Sequence, residues 1–175
     1  MDAHGDDLPS PCIARWAALV PANGRVLDVA AGGGRHTRLF LQRGHPVTAV
    51  DRNTAALRSL AAPAALLEVL EADLEAAPWP LPGRTFAGVV VSNYLWRPLL
   101  PAIVASVAPG GVLLYETFAV GHERLGRPRN PDFLLRPGEL LDAVRGQLEV
   151  LAYEHGEEGD PPSAVRQRLC ARRSS

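Results

Sequence analysis

VLDVAAGGGRHT, residues 26–37, decides the fold. Val26, Leu27, Val29 and Ala30 read as a buried strand. The apolar run stops in Gly32, Gly33 and Gly34, and a basic, hydroxylated stretch opens a helix. Glycine has no Cβ, so a link built from it turns tightly and lets a ligand lie against the backbone. In open α/β sheets, ligands bind beyond the carboxyl ends of the strands, where such links sit.

Working outward, the same alternation repeats. Cys12–Val20 has apolar residues at helical spacing (Ile13, Trp16, Ala17, Val20) and stops at Pro21. His36–Gly44 reads as a helix closed by its glycine, Pro46–Asp51 as a second strand, and residues 53–62 as a short helix capped by Asn53 or Thr54. Residues 65–73 have helical composition, but their place in the alternation predicts a third strand ending before Asp73. Phe86–Asn93 has the continuous apolar run of a central parallel strand. A helix over 96–108 follows, then a strand over Gly110–Phe118, a long polar loop over 119–136 and a helix opened by Pro137. LEVLAYEH, a turn-rich segment and AVRQRLCARR close the chain as a hairpin. In its last strand Arg166, Arg168 and Arg172 share one face, which suits an edge strand that discourages association. The whole predicts an α/β, doubly wound, mostly parallel sheet in one domain over residues 10–175, with residues 1–9 a disordered tail.

Composition narrows the function. At 47% hydrophobic and 21% charged, the 175 residues suit one folded domain with a real core. A net charge of -1 recruits neither nucleic acid nor an anionic membrane, and no apolar run is long enough to span one. Every basic residue is arginine, so a P-loop lysine and a Schiff-base lysine are excluded. Cys12 and Cys170 are far apart in sequence and imply free thiols in a cytoplasmic protein. The five histidines are dispersed without metal-ligand spacing, so no metal site is expected.

Three acids then fall at consecutive strand ends: Asp28, Asp51 and Asp73. An acid at the end of the second strand can accept both hydroxyls of a ribose. A dinucleotide enzyme wants G-x-G-x-x-G; from Gly32 that pattern places Thr37 where the third glycine belongs. A dehydrogenase also needs a substrate domain, for which the chain has no length. S-adenosylmethionine (SAM) has no pyrophosphate and needs only the loop backbone and the acids.

These residues resemble the class I SAM-dependent methyltransferases. VLDVAAGGGRHT is similar to their first motif, with Ala30 where the family often has glycine; VTAVDRN resembles the second, EADLE the third, and FAGVVVSNYLWRPLL the fourth. GRHTRLFLQRGHPVTAVDR, NYLWRPLL and ERLGRPRNPDFLLRPGEL look like small bacterial methyltransferases of the tellurite-resistance methyltransferase-like group. The resemblance implies a Rossmann-like seven-stranded sheet whose last strand runs antiparallel. It implies SAM as cofactor: Asp51, with Arg52 beside it, at the ribose, Asp73 and Leu74 at the adenine, and Asp28, Ala30, Ala31, Gly32 and Gly34 around the methionyl end. Ser92, Asn93 and Tyr94 would lie beside the sulfonium. His36 has two readings, a contact to the methionyl carboxylate or a helix-end histidine; Arg15 and Trp16 either close over the cofactor or, for the Trp, pack in the core.

The expected reaction is in-line methyl transfer to a small-molecule acceptor, for which the protein chiefly aligns the nucleophile. A hydroxyl or amine acceptor would need a base within reach. Tyr94 and Glu116 are the candidate catalytic residues; with Arg97, His122 and Arg124 they are also the candidate acceptor-binding residues. Arg97 is read either as a partner for an anionic substrate or as a solvated first-turn arginine. A catalytically silent relative that binds SAM or a protein partner is the alternative, and an RNA methyltransferase suits the near-neutral charge least. A monomer or homodimer is expected.

Overall fold

Val26–Val29 forms β1, with all four residues buried. It pairs in parallel with β2 (Val47–Asp51) on one side and β4 (Phe86–Ser92) on the other, which is why its side chains are covered on both faces. The computed structural model describes residues 8–175, and seven strands make one sheet in the order β3-β2-β1-β4-β5-β7-β6. β3 (Leu67–Glu71) and β5 (Val107–Phe118) extend the parallel set. β7 (Ala164–Arg172) is antiparallel to both β5 and β6 (Glu149–Glu158). The disordered tail expected over 1–9 lies outside the described residues as far as residue 7.

Alternation along the strands sends side chains to two cores. One face packs Leu27, Val29, Val89, Val91, Leu113, Tyr115 and Leu169 against α4 (Leu100–Ala105) and α5 (Glu139–Val144). The other packs Val26, Val90, Val112, Leu114 and Cys170 against α1 (Pro11–Trp16) and Phe40 of α2 (Arg35–Gln42). Ser10 opens α1 by accepting a hydrogen bond from Ile13 N at 3.4 Å, and Pro11 takes the first helical position. Among the described residues no helix is long and apolar enough to cross a membrane.

Several elements differ from their sequence reading. The helix expected over 53–62 is one turn, α3 (Ala55–Arg58). That expected over 96–108 is a 3-10 turn, Arg97–Leu99, followed by α4, because two prolines interrupt the stretch and the last residues join β5. β5 starts at Val107, and its register to β4 shifts where Phe86 faces Val107 and Gly88 faces Val112. The ordering of the hairpin is the main correction. The arginine-rich last strand is not at the edge; it lies between β5 and β6, and β6 is the edge. An interior strand tolerates that face because acids stand opposite: Glu116 of β5 and Glu154 of β6 are both register partners of Arg168.

Candidate active site

The turn after β1 carries the site. Ala30, Gly32 and Gly34 all have positive φ, at 53°, 55° and 79°. Gly34 is also short of space: a Cβ there would stand 2.9 Å from Leu57 Cδ2. Gly32 turns its N–H outward, where it donates to Asp51 Oδ2 at 2.8 Å. Asp51 Oδ1 accepts from Asn53 N at 2.9 Å. The carboxylate that ends β2 is therefore aimed at the glycine turn and held by two backbone donors.

Beside that carboxylate opens a cleft of about 310 Å³, lined among others by Ala30, Asp51, Arg52, Asp73, Leu74 and Tyr94. Asp73 Oδ1 accepts from the N–H groups of Glu75 and Ala76 at 3.0 and 3.2 Å, which sets its side chain at the cleft. A further cavity of about 250 Å³ shares Glu75, Tyr94 and Phe133 with the first and reaches Asn93 and Phe118. Tyr94 stands at the junction. Its hydroxyl is buried without a hydrogen-bond partner. Burial, and then the acids Glu75, Asp73 and Asp51, push its pKa up to about 12, so it is a donor and not a base near neutrality.

Asp28 and His36 lie beneath the turn and line neither cavity. Asp28 is 2% exposed and accepts from Thr37 Oγ1 at 2.7 Å; burial raises its pKa to about 6. His36 accepts from Ser10 N through Nε2 at 3.1 Å, tying α1 to α2; burial, then Arg35, lowers its pKa to about 4. Trp16 is buried in the core of the α1 face, so of its two readings the packing one is what the structure shows.

Three expected acceptor-site residues are engaged elsewhere. Arg97 donates to both oxygens of Glu139 at 2.6 and 3.0 Å and to the carbonyls of Asp132 and Leu134, both at 2.8 Å. It staples the 119–136 loop to α5. His122 accepts from Val165 N through Nδ1 and so donates from Nε2 to Arg127 O at 2.8 Å, with its ring stacked on Phe118. Arg124 turns back to Gly121 O. The long loop supplies Phe133 and Pro128 to the cavities instead.

Glu116 is 3% exposed at the end of β5 and faces a separate, charged cavity. Its Oε1 accepts from Ser92 Oγ at 3.1 Å, its Oε2 lies 3.4 Å from Arg168 Nε, and Ser92 Oγ accepts from Arg35 at 3.1 Å. Asn93, at φ 55°, accepts from Arg166 at 2.5 Å. Arg15 reaches the same cavity, paired with Glu154 at 2.5 Å. Arg35, Arg166 and Arg168 were not expected at the site. Their signal was the alternation of β7 and the position directly after the glycines, but only knowledge of β7's neighbours gives either a meaning.

Residues 26–111 match the methyltransferase-domain family. The chain is 33% identical over 135 residues, 74% of its length, to the malonyl-[acyl-carrier protein] O-methyltransferase of Serratia marcescens, of which it spans 48%. Among solved structures it shares its fold with TehB from Haemophilus influenzae, at 19% identity and a TM-score of 0.68 over 92% of this chain and 61% of that one. It also superposes on the 1,6-didemethyltoxoflavin-N1-methyltransferase of Burkholderia thailandensis, solved with S-adenosylhomocysteine, at 20% identity and a TM-score of 0.70, covering 94% of this chain and 77% of that one. Strand order, glycine turn and matched segment agree: residues 26–111 belong to the methyltransferase-domain family, set in the fold that SAM-dependent methyltransferases share.

Proposed function

We propose that the protein binds SAM and transfers its methyl group to a small-molecule acceptor by in-line displacement. One observation carries the reading: the Asp51 carboxylate is bonded to Gly32 N at 2.8 Å and borders a cleft that continues past Ala30 to Asp73, Leu74 and Tyr94. Asp51 would hold the ribose hydroxyls, with Arg52 beside it, and Asp73 and Leu74 the adenine. Ala30, Ala31, Gly32 and Gly34 would present backbone to the methionyl end. The orphan Tyr94 hydroxyl fits a ligand in the cleft, since a buried donor without a partner costs about 1–3 kcal/mol that a ligand acceptor would recover. The bound cofactor supplies a methyl on a positively charged sulfur, already activated; the protein's part is alignment and exclusion of water. Buried, unbonded Cys12 and Cys170 support a cytoplasmic setting.

Isothermal titration tests this. SAM binds the wild type, and Asp51→Ala weakens it by roughly 10²-fold or more, the loss of two hydrogen bonds to a charged acceptor. Heat with NAD and none with SAM reverses the assignment.

A further inference from the structure

The charged cavity, of about 540 Å³, lies on the α1 face of β5, β7 and β6. Among the described residues, four arginines line it, Arg15, Arg35, Arg166 and Arg168, against three glutamates, Glu116, Glu154 and Glu158. The surplus cation is identifiable. Arg15 pairs with Glu154, Arg166 with Glu158, and Arg168 with all three glutamates. Arg35 bonds a neutral hydroxyl, Ser92 Oγ, and among the described residues makes no ion pair. It is the first residue of α2 and follows directly on the glycine turn. The Arg35–Ser92–Glu116 chain and the Asn93–Arg166 bond tie the walls of this cavity to Ser92 and Asn93, and Asn93 also lines the cavity that meets the cleft at Tyr94.

A second, independent set of observations concerns the proton. Burial raises the Cys12 thiol to about 12, and Tyr94 also stays protonated. His36 and His122 spend their acceptor nitrogens on backbone N–H groups. Every glutamate of the cavity is ion-paired. Among the described residues that line this cavity, none is placed to deprotonate a hydroxyl or an ammonium, so a nucleophile bound in it arrives as an anion.

We infer that this cavity is the acceptor subsite and takes a small carboxylic acid, bound as its anion by Arg35 and methylated on that carboxylate. The inference rests on the proposed SAM-dependent activity. The carboxylate oxygen forms the new O–CH₃ bond as the S–CH₃ bond breaks. The electron pair goes to sulfur, leaving a neutral thioether and a methyl ester, and no proton is released. Arg35 holds the attacking group in line, and the ester, having lost its charge, loses its hold on the guanidinium.

The test supplies SAM with short-chain mono- and dicarboxylic acids, each beside its matched primary amide, with amines and thiols as further arms, and measures S-adenosylhomocysteine and proton release. Carboxylates turn over without acidifying an unbuffered solution, and amides do not turn over. Arg35→Met lowers kcat/KM for the acid by roughly 10–100-fold, the loss of a charged hydrogen bond. Arg35→Lys restores part of it, and the SAM dissociation constant stays within about twofold of wild type, the usual range for a site with no shared partner. Turnover confined to amines or thiols, no turnover of any carboxylate, or an Arg35→Met effect on SAM affinity in place of the acceptor overturns the inference. Failure of the wild type to bind SAM overturns the underlying reading instead.

Discussion

At the scale of single residues, the three glycines are not equivalent. Gly33 has ordinary φ, and a Cβ added to it would meet nothing within 4 Å, whereas Gly34 combines a left-handed backbone with contact to Leu57 and Leu60. Gly34→Ala is expected to cost roughly 2 kcal/mol and Gly33→Ala less than about 0.5, read from urea midpoints. His36 gives a second expectation. Its folded pKa is lowered to about 4 from 6.5, so the unfolded chain takes up its proton first as pH falls. The stability it contributes is whole above 6.5 and is lost as pH falls toward 4. Asp28 works in the opposite sense: raised to about 6, it makes the folded state bind its proton first, which adds stability as pH falls from 6 to 3.8. The wild type therefore shows a shallow acid limb over that window. The stability advantage of wild type over His36→Gln shrinks by on the order of 3 kcal/mol between pH 6.5 and 4, measured by denaturant titration at each pH. An unchanged difference across that range would show that His36 titrates normally.

At the scale of elements, Arg97 ties the 119–136 loop to α5, beside the His122 clamp and the Gln167 bond to Arg136 O. Arg97 is part-buried, with 26% of its side chain exposed, and its Glu139 partner is 16% exposed. Arg97→Met leaves Glu139 and two loop carbonyls without their donor and is expected to cost roughly 1–3 kcal/mol, below the figure for a fully buried pair because solvent still reaches it. Because the loop carries Phe133 to the cleft, the same variant should be cut faster by protease within 119–136 and bind SAM more weakly. Protection equal to wild type would move the anchoring elsewhere, to the Ala119–Leu135 bridge and the His122 clamp. In sequence, Arg97 reads as a first-turn arginine beside Pro98, and nothing local reveals that its partners lie 35 to 42 residues on.

At the scale of the molecule, the order of the sheet decides which strands are protected. β7 lies inside the sheet, so its amides are expected to exchange with those of β1 and β4, while β3 and β6, each with one open edge, exchange sooner. Fast exchange along 164–172 would contradict the order. The sheet order also shows how far the sequence could be read. Apolar runs, glycines and prolines are local signals of strand, turn and break, so VLDVAAGGGRHT and the acids Asp51 and Asp73 already pointed to a turn at a sheet's carboxyl edge, and the structure puts Ala30, Asp51 and Asp73 around one cleft. Alternation in AVRQRLCARR likewise showed which residues share a face. Which neighbour that face meets is another matter. Strand order, the inward turn of Arg166 and Arg168, the burial of Asp28 and His36 beneath the loop, and the commitments of Arg97 and His122 depend on pairings between distant segments. Local sequence encodes the period of a side chain's direction, whereas its partners are chosen by packing and charge compensation across the whole chain, so the make-up of the charged cavity was left to the tertiary structure.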